Sequence, residues 1–100
     1  MKRNWTLIRV LLEQIEKETL VEFLSERPYE SQYTEKEVYG HLEILFHSDI
    51  LAGGEVTRDA IGRFWAPAID GVYITMSGHD LLDCLRDKPV WERIKGSGLY

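Results

Sequence analysis

The segment from Thr34 to Leu51 constrains the fold more than any other part of the chain. It opens with a capping box, in which Thr34 is the N-cap residue and Glu37 lies three positions further on. Apolar side chains then recur at helical spacing: Val38, Leu42, Leu45 and Phe46. The β-prone pair Ile50 and Leu51 follows almost at once. A capped helix that leads directly into a strand is typical of the reading helix of a winged helix-turn-helix.

The remaining segments fit the same architecture. Asn4 is a good N-cap for a helix from about Trp5 to about Lys17, and residues 72–75 predict a strand that pairs antiparallel with the one after residue 50. A helix capped by Thr75 or Ser77 and a short helix from residue 88 complete the chain. We therefore predict one α+β domain over residues 1–100, winged helix-turn-helix-like, with three to four helices and a two-stranded β wing.

Two segments leave alternatives open. The run Leu20–Leu24 is either a strand or one more helical turn, because periodicity cannot separate the two over so short a stretch. Between Leu24 and Thr34 there is room for little more than a turn, so the first helix of a standard helix-turn-helix pair is poorly represented. Residues 58–70 have the composition of a long wing tip, and the sequence does not decide whether that tip is ordered.

The charge pattern argues against the DNA binding that the predicted fold suggests. The net charge is −5, and residues 1–50 carry ten acidic against six basic side chains. On the predicted reading helix, Glu35, Glu37 and Glu43 face a single Lys36. Duplex binders gain affinity by neutralising phosphates with cations, so this distribution disfavours DNA without excluding a local basic stripe.

Cysteine content and hydropathy predict a cytoplasmic protein. A lone cysteine, Cys84, rules out an intramolecular disulfide and fits a reducing compartment. Arg9 and Glu13 interrupt the apolar residues near the start, so we do not expect a signal peptide there. No run approaches the ~18 apolar residues of a membrane span, and we expect no membrane association.

Three segments carry a family resemblance: residues 1–9, 33–42 and 74–87, with Trp91 after the last. Together they resemble the small phage and prophage proteins catalogued as domain of unknown function 2513. The resemblance implies a winged-helix-like domain carried by mobile elements, acting in the host cell cytoplasm if phage-encoded, and it supplies no activity or catalytic residue. It implies two roles: regulation of phage or host genes, or interference with a host machine such as a CRISPR defence complex.

The spacing of the histidines and the cysteine predicts neither a metal site nor a catalytic centre. His41 and His47 are six residues apart, and His79 and Cys84 are five apart, so neither pair aligns on one helical face. We expect Cys84 to fill space in or near the core and His79 to bond to the backbone of a neighbouring helix. No phosphate-binding glycine loop is present, and we expect no catalytic residue, metal or cofactor.

Two binding surfaces remain as alternatives. The one that we favour binds a protein partner, one candidate being a host defence component, through five residues: Tyr39, Glu43, Phe64, Trp65 and Tyr73. Trp65 could instead fold back onto the domain. The alternative is a DNA-binding transcriptional regulator that uses four residues: Lys36, Tyr39, Arg58 and Arg63. Trp91 and Ile94 either cap the core or form the seam of a homodimer.

Overall fold

The computed structural model describes residues 3–64 and 67–96, apart from the side chains of residues 88 and 94–96. Its helices are α1 (Trp5–Glu16), α2 (Leu20–Glu26), α3 (Glu35–His47), α4 (Met76–Arg86) and α5 (Lys88–Gly96). Its strands are β1 (Leu51–Ala52) and β2 (Tyr73–Ile74). The α+β prediction is confirmed, and within the described residues the helices number five, where the sequence predicted three to four.

The strands form an antiparallel ribbon. Leu51 is paired with Ile74 and Ala52 with Tyr73, as the β-prone residues 72–75 predicted. Two isolated bridges, Glu55–Ala68 and Arg58–Phe64, continue the ribbon beyond the regular strands. The ribbon following α3 is compatible with the wing of a winged helix.

The ambiguous run after α1 is the helix α2. Its seven residues bury Leu20, Phe23 and Leu24, which recur at helical spacing. Thr19 and Glu22 have the spacing of a capping box, but the Thr19 hydroxyl donates to Gln14 instead, so no side chain caps the start of α2. The order α2, turn and α3 is therefore compatible with a helix-turn-helix pair, whose first helix the sequence represents poorly.

One apolar core joins α1, α3, α4 and the ribbon. Its most deeply buried apolar side chains are Leu7, Ile8, Leu11, Leu12, Val38, Leu42, Leu51, Leu82 and Leu85. The capping box of α3 is present, with the Thr34 hydroxyl accepting from the Glu37 amide at 3.1 Å. Of the two candidate caps of α4, Thr75 is the one used, since its hydroxyl accepts from the Gly78 amide at 3.0 Å.

Two residues named from the sequence lie elsewhere than predicted. Cys84 and His79 are both exposed on α4, so Cys84 is not a core residue. The predicted imidazole-to-backbone contact is made instead by buried His41, which accepts from the Asn4 amide. Trp91 packs against the core with the Arg9 guanidinium 5.5 Å from its ring centre. The side chain of Ile94 lies outside the described residues, and the homodimer stays a prediction.

The end of α1 holds a glutamate in a glycine-like backbone conformation. Glu18 has φ 60°, its amide donates to the Ile15 carbonyl, and the Thr19 amide donates to the Gln14 carbonyl. An L-residue in the left-handed region is strained, and a carboxylate beside a helix C-terminus opposes the helix dipole.

We expect Glu18→Gly to raise the free energy of unfolding by about 1 kcal/mol, because glycine adopts this conformation without strain. Urea denaturation measures the change. The control is Lys17→Gly: Lys17 has an ordinary helical φ of −82°, so the same replacement should be destabilising there. Stabilisation by both variants would contradict the explanation.

Candidate functional site

The wing folds along α3 and is fastened to it by one arginine. Arg58 Nε donates to Glu43 Oε2 at 3.0 Å, and Nη2 donates to Oε1 at 2.8 Å. The same guanidinium lies 4.2 Å from the ring centre of Phe64. The Phe64 ring meets Tyr39 edge to face, with centres 6.0 Å apart. We call Tyr39, Glu43, Arg58 and Phe64 the α3–wing cluster.

A tight turn organised by Asp59 forms the wing tip. One Asp59 oxygen accepts from the amides of Ile61 (3.0 Å) and Arg63 (2.8 Å). The other accepts from Arg63 Nε at 3.1 Å. Gly62 supplies the φ of 84° that the turn requires, and its carbonyl accepts from Arg58 Nη1 at 3.2 Å. The tip is therefore held by its own polar groups and presents its apolar side chain outwards.

A groove of about 480 Å³ separates the tip from the start of α3. We call it the wing-tip groove; it is lined by Glu35, Lys36, Ile61, Gly62, Arg63 and Phe64. Ile61 is 71% exposed, although nothing in the turn requires an apolar residue there. An exposed aliphatic side chain beside an aromatic ring and flanked by charges is typical of a protein-binding site.

Ion pairs within the domain engage the wing cations. The Arg58 hydrogen bond lowers the pKa of Glu43, and the Arg63 amide, followed by that of Ile61, lowers the pKa of Asp59. Both carboxylates are therefore charged at neutral pH and hold their arginines. Burial, and then the charge of Glu35, raises the pKa of Tyr39, so its hydroxyl stays protonated.

Carboxylates also dominate the exposed side of α2. Glu22 and Glu26 are both exposed, and α2 contains no lysine or arginine. In a helix-turn-helix the first helix crosses the phosphate backbone, where such carboxylates would be repelled. The excess of acidic side chains, which disfavours DNA binding by α3, is therefore present on α2 as well.

The residues predicted for the two alternatives are partly intermixed. Tyr39, Glu43 and Phe64 lie together in the α3–wing cluster, and Arg58, predicted for DNA, is bonded to Glu43, predicted for protein. Lys36 and Arg63 line the neighbouring groove. Tyr73 stands apart at the base of the ribbon, opposite Ala52. Trp65 lies outside the described residues.

Ile61 is the site residue that the sequence did not single out. It falls within a segment of loop composition, between Asp59 and Gly62. An aliphatic residue inside a segment of turn-forming residues was the available signal. Its exposure could not be inferred, because a wing tip can equally fold inwards.

Two further observations concern metal binding and membrane crossing. Within residues 3–64 and 67–96, no three His, Cys, Asp or Glu side chains are grouped so that they could hold a metal ion. In that same part of the chain, no helix has the length and apolar character needed to cross a membrane.

The α2–turn–α3 succession followed by an antiparallel ribbon defines an α+β domain compatible with a winged helix. The profile of a family described as hypothetical protein (DUF2513) matches residues 2–97. The chain belongs to this family, which confirms the resemblance seen in the three sequence segments. No curated protein and no solved structure matches the chain significantly.

Proposed function

We propose that this domain is a non-enzymatic module that binds another protein through the wing-tip groove and the adjoining α3–wing cluster. The observation that carries the proposal is the pairing of both wing arginines with carboxylates of their own domain, at 2.8 Å for Arg58–Glu43 and 3.1 Å for Arg63–Asp59. A winged helix that used Arg58 on phosphates would first have to break its pair with Glu43, and Arg63 would approach a phosphate with the Asp59 carboxylate beside it.

Acidic residues on both helices of the pair support the same conclusion. Glu35 stands at the start of α3, and Glu22 and Glu26 lie on the exposed side of α2. All three would approach a phosphate backbone in the usual docking geometry. The shape of a groove-reading module is therefore combined with a surface that suits a basic protein.

The exposed apolar residue at the tip supports a protein partner directly. Ile61 and Phe64 offer an apolar contact beside charged neighbours, an arrangement that buries area while the rim supplies polar contacts. Given the phage and prophage context that the resemblance implies, we propose a host nucleic-acid machine, such as a CRISPR defence complex, as the class of partner. Such machines carry basic channels that an acidic domain can occupy.

A DNA-binding regulator is the second candidate. It is favoured by Arg63, whose side chain remains 76% exposed despite its pair with Asp59, and by Lys36 on the same groove. These two cations could touch phosphates if the wing approached a duplex.

Duplex binding measured against salt concentration separates the two candidates. We expect no shift of duplex DNA at low salt, and no difference between the wild type and Arg63→Glu. A DNA binder should instead lose affinity steeply as salt rises, with Arg63→Glu abolishing binding. That result would overturn the proposed function.

Partner recovery from host extract then tests the groove. The Ile61→Ser variant should no longer recover the partner protein. Met76→Ser, which also replaces an exposed apolar side chain by serine but on α4, should still recover it. Both changes lie on the surface, so neither should alter thermal unfolding appreciably. Equal recovery with both variants would remove the wing-tip groove from the site.

A further inference from the structure

A second groove is bordered by α1, α2 and the segment that joins α2 to α3. Its volume is about 480 Å³. Phe23 and Tyr29 are buried at its floor with ring centres 5.2 Å apart, and half-buried Val10 and Tyr33 line it beside them. We call this the α1–α2 groove. Its apolar floor would accommodate an apolar or aliphatic portion of a ligand.

The rim of this groove is acidic. Glu22 and Glu26 are one helical turn apart on α2, both line the groove, and both are exposed. Among the residues that the structure describes, neither takes part in an ion pair, and the groove lining contains no lysine or arginine. Two uncompensated carboxylates above an aromatic floor favour a ligand that carries positive charge.

The fold itself gives little reason for this arrangement. Glu22 stands in the first turn of α2, where the helix dipole favours a carboxylate, but the like charge of Glu26 four residues on destabilises the helix. Glu26 itself stands in the last turn, where the dipole disfavours it. The adjacent Arg27 does not compensate it, because that guanidinium pairs with Glu30 at 2.9 Å and Glu35 at 3.1 Å. A residue such as Glu26 that works against local helix stability is expected where it serves binding.

We propose that the α1–α2 groove docks a basic segment of a partner protein. A lysine or arginine head would lie between Glu22 and Glu26, while its stem and an apolar neighbour would pack on Phe23 and Tyr33. The net charge of −5 would attract such a segment and speed its encounter with the groove. The inference rests on the proposed protein-binding function, to which it adds a second surface and the chemistry of the partner.

The probe is a synthetic amphipathic peptide of lysine and leucine, with a glutamate-for-lysine peptide as its negative control. In an NMR titration we expect the basic peptide to shift the amides of Phe23 and Tyr33 more than those of Ile61 and Gly62. The acidic peptide should shift none of them. Shifts spread over the whole surface would indicate non-specific attraction and would overturn the proposal.

The double variant Glu22→Gln/Glu26→Gln tests the rim. We expect its Kd for the basic peptide to rise about tenfold. Thermal stability should be nearly unchanged, because removing the repulsion offsets the loss of the favourable first-turn charge of Glu22. The matched control Asp80→Asn/Asp83→Asn changes the net charge equally at two exposed positions of α4 and should bind like the wild type. Equal weakening in both double variants would reduce the effect to net charge and overturn the proposal.

The single variant Ile61→Ser keeps this test separate from that of the proposed function. It should bind the basic peptide normally while losing the partner of the wing-tip groove. A partner that depends on Ile61, together with absence of peptide binding, would overturn only the α1–α2 groove.

Discussion

Replacing Gly78 with alanine is expected to lower the free energy of unfolding by about 3 kcal/mol, because the added methyl group overfills a packed contact. Gly78 lies in the first turn of α4, where the chain returns from the ribbon into the core. A Cβ at this position would collide with the Ile50 carbonyl oxygen and approach Ile74 Cγ2 at 2.6 Å. The Ile50 carbonyl is held in place, because it accepts a hydrogen bond from the amide of Thr75 at 3.1 Å.

Helix propensity alone predicts the opposite sign. A glycine-to-alanine change in an unobstructed helix stabilises by about 1 kcal/mol. Chemical denaturation of Gly78→Ala therefore decides between crowding and propensity by the direction of the change.

Gly62→Ala is the control for backbone effects. Gly62 has φ 84°, but an added methyl group would meet no heavy atom of the described residues within 4 Å beyond its chain neighbours. Its replacement should therefore cost only the backbone strain, about 1 kcal/mol. A Gly78→Ala protein as stable as the wild type would show that α4 can move away from the ribbon.

Replacing His41 with alanine is expected to cost about 3 kcal/mol of unfolding free energy, through a cavity and an orphaned donor. His41 belongs to α3, is 1% exposed, and faces the start of α1. Its Nε2 is 2.9 Å from the Asn4 amide, and its Nδ1 is 2.7 Å from the Glu37 carbonyl. Since the Asn4 amide can only donate, Nε2 accepts, so Nδ1 carries the imidazole proton and donates a hydrogen bond to the Glu37 carbonyl.

The imidazole therefore joins two helices while satisfying both of its nitrogens in the neutral form. Without the imidazole, the Asn4 amide loses its acceptor at a partly buried junction, and the cap of α1 formed by the Asn4 side chain is loosened. Thermal unfolding should show a fall in Tm of about 15 °C for a domain of this size.

His79→Ala is the matched control, because that histidine is exposed on α4. Its replacement should change the unfolding free energy by less than about 0.5 kcal/mol. Comparable losses from both histidines would contradict the assignment of the interhelical contact to His41.

The sequence predicted the elements whose signals are local. Asn4, Thr34 and Thr75 cap helices through contacts only three residues long, and the apolar spacing behind each cap gives the helix its buried side. The pairing of residues 72–75 with the strand after α3 follows from β-propensity and chain order. The short α2 could not be distinguished from a strand by sequence, because seven residues are too few for periodicity to decide and the helix is stabilised by burying Leu20, Phe23 and Leu24.

The site was predicted less completely, because its residues come together through contacts between distant parts of the chain. Tyr39, Glu43, Phe64, Arg58 and Arg63 were all identified as candidates, because aromatic and charged residues stand out in a helix and a loop. Their mutual arrangement was not, since Arg58 and Glu43 are 15 residues apart and no spacing rule pairs them. Whether Ile61 points outwards likewise depends on how the wing folds.

The residue order by itself determined the family, the α+β class, the starts of α1 and α3, and the acidic character of the surface. Only the tertiary structure decided that Arg58 fastens the wing to Glu43, that His41 joins α3 to Asn4 across 37 residues, and that Glu22 and Glu26 border an aromatic groove. Caps and periodicity act over one or two helical turns, so the chain encodes them locally. Contacts between distant segments depend on where the packed core places each backbone, and that placement is a property of the whole fold.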